Sequence, residues 1–435
     1  MQPKAYRNYL LVVLLVIYAF NGVDGLALAL MLQDIKTDLH LSDAELGVLT
    51  GIAFALFYSV LGVPIARWAD RGNRVLIIAV TTALWCGAVA LSSVARNFSE
   101  LLGIRILVAI GEAGCIAPAQ SLIADYFPRA ERPRAVGIYL MGSSLSVVVG
   151  FFLAGWLNEL VGWRATFRLL GLPGLIVAGV AWFTLREPRL ERAVPERGER
   201  RPRPLDHSPL DAPGQVPSLR EVARTLYASR TFRHLLLGFS VASFFASGVS
   251  QWQPSFFIRS YGFNTGELGT WFTGIFGAGG LLGIYLGGEL ATRFARNDEA
   301  LQLRAIAVLY GLFGVVSTGI YLASSAYWAF ALTALAFLGG AATAAPLFAV
   351  IQTLVPDNMR ATTIAVLYLF SNLVGLGLGP LAVGALSNEF SHWLGAESLR
   401  YALLAVSPGY LWVTWHLWRA STTVACELAP RAPVA

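Results

Sequence analysis

Apolar residues run along this chain in long blocks, not in alternation. Twelve blocks are long and apolar enough to be helices: 9–32, 45–66, 75–95, 98–123, 134–160 and 166–185, then 232–258, 266–290, 303–323, 326–351, 360–388 and 398–420. At ~1.5 Å of rise per residue, ~20 apolar residues cross the ~30 Å hydrocarbon layer of a bilayer. Period-two alternation, the mark of a half-buried strand, is nowhere sustained. The pattern predicts an all-α integral membrane protein with twelve transmembrane helices. The first block carries Asn21 and Asp24 and exceeds the apolar core of a cleaved leader, so it reads as a retained span.

The pattern breaks between residues 186 and 231, a stretch rich in Arg and Pro. It divides the chain into a six-helix bundle over 1–185, a basic linker over 186–231, a second six-helix bundle over 232–422 and a tail over 423–435. The linker reads as mostly disordered, ending in a short amphipathic helix near Leu219 to Leu226. Charged residues are 13% of the chain, about half the ~25% usual for soluble domains. Their distribution is one-sided. With the N-terminus inside, 25 of the 32 Lys and Arg residues fall on the cytoplasmic face and 6 on the other. This bias puts both termini in the cytoplasm of a cytoplasmic (inner) membrane, and assigns the basic linker to an anionic membrane face, not to nucleic acid.

The two halves repeat. Pro118 and Pro128 recur as Pro346 and Pro356 at an offset of 228, which also carries Arg132 onto Arg360 and Ser144 onto Asn372. At an offset of 222, residues 66–74 fall on 288–296, so that Arg71 meets Arg293 and Arg74 meets Arg296. Parallel six-span repeats imply a pseudo-twofold along the membrane normal with a cavity between the bundles, the architecture of a secondary transporter.

Charges inside the blocks are few, and each costs at least a few kcal/mol at mid-depth unless it serves a site. Asp24 lies in the first span, Arg105 and Glu112 in the fourth. Counting from Tyr9, Asp24 is about 22 Å deep, and Arg105 is about 10 Å from the opposite surface, so the two share one level of a ~30 Å core. Glu112 follows Arg105 by two helical turns on the same face. Burial favours a neutral carboxylic acid and a guanidinium an ionised one. Asp24 and Glu112 are therefore expected to titrate during a transport cycle, with Arg105 modulating both.

Residues 66–74 form a second constellation. Asp70 is placed to cap a helix N-terminus, and Arg71 and Arg74 to reach acidic partners, with Asp125 the expected partner of Arg74 at a cytoplasmic gate. Thr292 replaces the acid in the second half. The seventh span carries Ser240, Ser243, Ser247 and Ser250, then Gln251, Trp252 and Gln253. Ser243, Ser247, Gln251 and Trp252, with Asn21, Gln120, Ser143, Ser144 and Asn372, are candidates to line the cavity. Pro118, Pro346 and the Gly-rich run at 375–380 are expected bending points. Cys86, Cys115 and Cys426 lack the spacing of a disulfide framework or a zinc site. The phosphate-loop, HExxH and GxSxG patterns are missing, which argues against an ATP-driven pump, a zinc protease or a serine hydrolase.

Several of these stretches carry a resemblance. Asp-Arg-Gly-Asn-Arg at 70–74, preceded by Gly-Val-Pro-Ile-Ala-Arg-Trp-Ala, is similar to the loop 2–3 motif of the major facilitator superfamily, with Asn73 as a spinster-like variant. Residues 41–51, Arg105 with Gly-Glu-Ala-Gly at 111–114, Asp-Tyr-Phe-Pro at 125–128, and the Phe-Arg-His-Leu and Gly-Thr-Trp-Phe stretches of the second half also resemble the spinster family. The resemblance implies a proton-linked carrier, acting as a monomer without a bound cofactor, in which Asp24, Arg105 and Glu112 are functional. It further implies an amphipathic, lysolipid-like or sphingolipid-like, or organic anionic solute. The family often has Asp-Arg in the first helix; here Gly25 follows Asp24.

Overall fold

The computed structural model describes residues 3–128, 131–188, 219–295, 298–356 and 359–428. Among them are ten helical stretches long and apolar enough to cross a bilayer, and two of these, Arg134–Thr184 and Thr362–Glu427, each hold two crossings. The first half contains α1 (Lys4–Leu39), α2 (Asp43–Thr50 continued as Ile52–Arg71), α3 (Arg74–Ser92) and α4 (Phe98–Glu112 continued as Ile116–Tyr126). α5 (Arg132–Val148) passes through a π turn, Val149–Leu153, into the helix Ala154–Thr184. That helix breaks at Gly162, whose φ of 75° suits only glycine, and the part beyond the break is α6.

The second half repeats the scheme: α7 (Arg230–Tyr261), α8 (Thr265–Phe272, a π turn and Gly279–Phe294), α9 (Glu299–Leu322) and α10 (Ala326–Thr353). α11 runs from Arg360–Phe370 through a π turn, Ser371–Leu378, to Gly379–Leu394, and α12 from Ser398–Val406 to Tyr410–Leu428. The expected bend in the Gly-rich run is this π turn. The expected helix near 219–226 is Leu219–Ala228, with Val222 and Leu226 buried against the second half's core. The rest of the linker expected to be disordered, 189–218, and the tail from 429 lie outside the described residues.

The repeat extends to helix starts. Ser42 and Glu45 form a reciprocal capping box at the head of α2, and Asn264 and Glu267 form the same box at the head of α8, 222 residues on. Both heads lie at the end of the molecule away from the termini, and there the two halves meet. α2 packs on α11, and α8 on the helix that continues α5. The approach is close enough that a Cβ on Gly47 would stand 2.7 Å from the Pro380 carbonyl oxygen.

The hydrogen bonds between described residues of opposite halves all belong to this far end. Asp43, on α2, accepts from both terminal nitrogens of Arg259 at 2.7 Å, from Lys36 at 2.7 Å and from the Ser387 hydroxyl at 2.6 Å. Arg259 also donates to Gln33 at 2.7 Å. In the mirrored place Thr265, which the repeat equates with Asp43, receives a bond from Asn158 at 3.1 Å, and Asn158 in turn holds Asp34. At the end that carries the termini the named ion pairs stay within one half, as Arg7 with Glu131 does at 3.0 Å. The bundles are latched at one end and open a chamber toward the other.

Candidate functional site

The chamber's charged wall comes from α1 and α4. Arg105 donates to Asp24 Oδ2 at 2.5 Å, and both side chains are 3% exposed. The guanidinium lies 5.7 Å from the centre of the Phe54 ring on α2. Asp24 Oδ1, Arg105 Nε and Asn21 Nδ2 are buried without a hydrogen-bond partner among the described residues. Glu112 is also buried, and forms no hydrogen bond or ion pair with a described residue. It ends the first segment of α4, which tightens into a turn at 113–115 before Ile116. Pro118, one turn on, has no N–H to continue the ladder, so the break falls beside the carboxylate.

Asp24, Arg105 and Glu112 line one cavity of 310 Å³ with Asn21, Gly25, Phe54 and Tyr58, and the opposite half closes it with Gln251, Asn372 and Leu376. A second cavity of 480 Å³ lies in the other bundle, sharing Gln251 and Leu376 with the first. Its walls are Ser247, Ser250 and Gln253 with the rings of Phe276, Tyr310, Phe313, Phe337 and Tyr410, and no charged residue. The two form a chamber with a charged compartment on one side and a neutral, largely aromatic one on the other.

Of the residues expected to line a cavity, Asn21, Ser247, Gln251 and Asn372 do so. Others are placed elsewhere. Trp252 is fully buried and donates its indole N–H to the Pro380 carbonyl at 2.9 Å. One residue past Gln251 turns the helix by about 100°, which takes Trp252 out of the chamber and into the core. Ser243 bonds Ser371 at 2.6 Å and ties α7 to α11. Gln120, Ser143 and Ser144 are exposed and line neither cavity, whereas Ser146 turns inward to donate to the Ala19 carbonyl at 2.7 Å. His416 lies outside the chamber, accepting from Trp412 at 2.7 Å and facing His234 across 3.0 Å.

Near the terminal end Arg74 is fully buried and pairs with Asp125 at 2.6 Å. Its principal partner is one the sequence reading missed. Glu187 accepts from the Arg74 backbone N–H at 2.7 Å and from Nε at 3.1 Å, and binds Nη2 as well. Ser121 takes the remaining nitrogen at 2.9 Å. Residues 186–188 therefore belong to the folded first half and not to a disordered linker. The expectation for Asp70 is also corrected: it stands in the last turn of α2, and Asn73 caps α3 by accepting from Leu76 N at 3.0 Å. The side chains of Asp70 and Arg71 lie outside the described residues.

The sequence profile of the Major Facilitator Superfamily matches residues 14–418. The crystal structure of a bacterial homologue of the human lysosomal transporter spinster, in an inward-facing and unoccupied conformation, superposes with a TM-score of 0.84 at 30% identity, covering 99% of this chain and 100% of that one. An MFS-type efflux pump of Mycolicibacterium smegmatis is 29% identical over 90% of this chain and 87% of its own. Protein spinster homolog 1 of Xenopus tropicalis is 25% identical over 92% and 78%. With its helical architecture, chamber and matches in agreement, the chain belongs to the Major Facilitator Superfamily and is a membrane transporter of the spinster type.

Proposed function

We propose that this protein is a proton-coupled secondary transporter carrying an amphipathic solute by alternating access, as a monomer surrounded by the lipids of the cytoplasmic membrane. The observation that carries the reading is the buried triad of Asp24, Arg105 and Glu112 on a chamber that both halves close. Ionisable groups at membrane depth persist where they move protons or bind ions. The proton gradient supplies the energy, and no cofactor enters the cycle. The neutral aromatic compartment suits an apolar chain and the charged one a head group, which favours lysolipid-like or sphingolipid-like solutes. The excess of Lys and Arg supports cytoplasmic termini. In that orientation the latched end faces outward and the chamber opens inward.

Reconstitution in liposomes containing a pH dye tests the coupling. Single-chain amphiphiles are expected to drive proton movement through the native protein, and Asp24→Asn and Glu112→Gln are each expected to abolish it while the proteins stay folded. Full coupling retained in both variants removes the proposal. The kinship to an efflux pump favours a second reading, export of drugs or metabolites through the same chamber. Counterflow with non-lipid drugs and none with amphiphiles would select it. Binding without counterflow of any solute would point instead to a sensor.

A further inference from the structure

We infer that the transported solute bears a single positive charge on its head group, and that this cation and a proton alternate at the carboxylates of Asp24 and Glu112. The inference rests on reading the chamber as the transport site, and adds the charge of the solute and the sense of exchange.

The charges on the chamber wall do not balance. Asp24 and Glu112 face a single cation, Arg105, and the adjoining neutral compartment supplies no other. One nitrogen of Arg105 is committed to one oxygen of Asp24, while Nε is buried without a partner among the described residues. Among the described residues the other oxygen of Asp24, on a side chain 97% removed from solvent, is buried without a partner, and Glu112 has none of its own. With all three ionised the site holds one negative charge in excess, and an uncompensated charge at such depth costs several kcal/mol. One proton relieves it, or one cation. An anionic head group would bring a second excess negative charge to a compartment whose one guanidinium, among the described residues, is Arg105.

The shape of the compartment agrees with the charge. Phe54 and Tyr58 stack on the wall, their rings 5.5 Å apart at 17°, and aromatic faces attract ammonium groups. Gly25, which follows Asp24 on α1, lines the same cavity, and a Cβ there would meet nothing within 4 Å, which leaves room for a substituted nitrogen or phosphorus centre. The other titratable groups near the acids are Cys86 of α3 beside Asp24, Tyr58 of α2 and Cys115 of α4 near Glu112, and Tyr18 and Tyr139 behind them. Phenols and thiols carry no charge at neutral pH, so the carboxylates alone accept the proton or the cation. A cation that enters displaces the proton, which leaves through the open end, and the outcome is antiport.

Two ions of one shape and opposite charge test this. Tetraphenylphosphonium and tetraphenylborate are titrated calorimetrically into the full-length protein in detergent. The phosphonium is expected to bind at least ten times more tightly, with an affinity that falls about tenfold for each pH unit on the acid side, as one proton competes with one cation. Glu112→Gln is expected to flatten that pH dependence and weaken the phosphonium about tenfold or more. Equal or tighter binding of the borate, or phosphonium binding indifferent to pH in the native protein, overturns the inference with no variant needed. If amphiphiles still drive proton flux in liposomes while the phosphonium shows no preference, the charge assignment falls and the proton-coupled reading stands. If both fail, the proposed function falls with it.

Discussion

Among the described residues Arg105 is the guanidinium on the cavity shared by two buried carboxylates, and it lies between an ion pair with Asp24 and the face of Phe54. Removing it leaves Asp24 buried, charged and unpaired, so Arg105→Ala is expected to lower stability by about 3 to 5 kcal/mol. Adding Asp24→Asn to that variant should return most of the loss without returning transport, as thermal unfolding in detergent and a liposome assay would read. A variant pair whose losses simply add would show that the two residues do not act together. These charges were legible in the sequence because an acid inside an apolar block stands out, and helix rise alone set Asp24 level with Arg105. Trp252 was not legible in the same way. Between Gln251 and Gln253 it shares their polar surroundings, and only the rotational phase of α7, fixed by packing on Pro380, turns it into the core. Glu187 was hidden for the opposite reason. It opens a stretch whose Arg and Pro content signals disorder, and nothing local shows that Arg74, 113 residues earlier, waits for it.

Elements show where the chain is built to bend. Four of the helices at the interface between halves carry an irregularity: α2 breaks at Gly51, α8 has a π turn at Thr273–Ala278, and α5 and α11 have theirs at Val149–Leu153 and Ser371–Leu378. A π turn holds one residue more than the α ladder accommodates, and leaves a carbonyl free to change partners. Its glycines hinted at the turn in α11, but the turn in α5, Val-Gly-Phe-Phe-Leu, reads as ordinary helix. Deleting Phe152, exposed on that turn, should restore a regular helix, keep the fold and slow transport; unchanged transport would separate bending from function. At the terminal end α3, α4 and the segment after α6 are joined by Arg74, Asp125 and Glu187. Arg74→Ala leaves Glu187 buried without its cation and is expected to cost about 3 to 5 kcal/mol. Glu187→Gln, which keeps the backbone contact, should cost less. Equal losses would mean that charge contributes little to this joint.

At the scale of the molecule the two ends are held differently. The far end is closed by a few polar contacts between halves centred on Asp43, which is 2% exposed and meets Arg259 and Ser387 of the other half together with Lys36 of its own. Among the described residues the polar contacts of the terminal end stay within each half, so opening that end breaks none of them. The balance between the two conformations therefore depends on the Asp43 cluster, and a loss of about 1.4 kcal/mol there moves the populations tenfold. Truncating one member of a buried charged pair removes about 2 to 5 kcal/mol. Asp43→Ala and Arg259→Ala should each shift the molecule toward the state open at the far end. Spin labels at His40 and Asn388, exposed at that end on opposite halves, would show the change as a longer distance. The double variant should open further than either single one but by less than their sum, because both remove the Asp43–Arg259 pair while each alone spares one contact across the halves, Arg259 with Gln33 or Asp43 with Ser387. Thr265→Val, at the mirrored place, should act in the same direction but less, since it removes a neutral hydrogen bond and no charge. A distance distribution unmoved by Asp43→Ala would mean that apolar packing of α2 on α11 and of α8 on the α5 continuation holds this end shut, and that the charges serve only to align it.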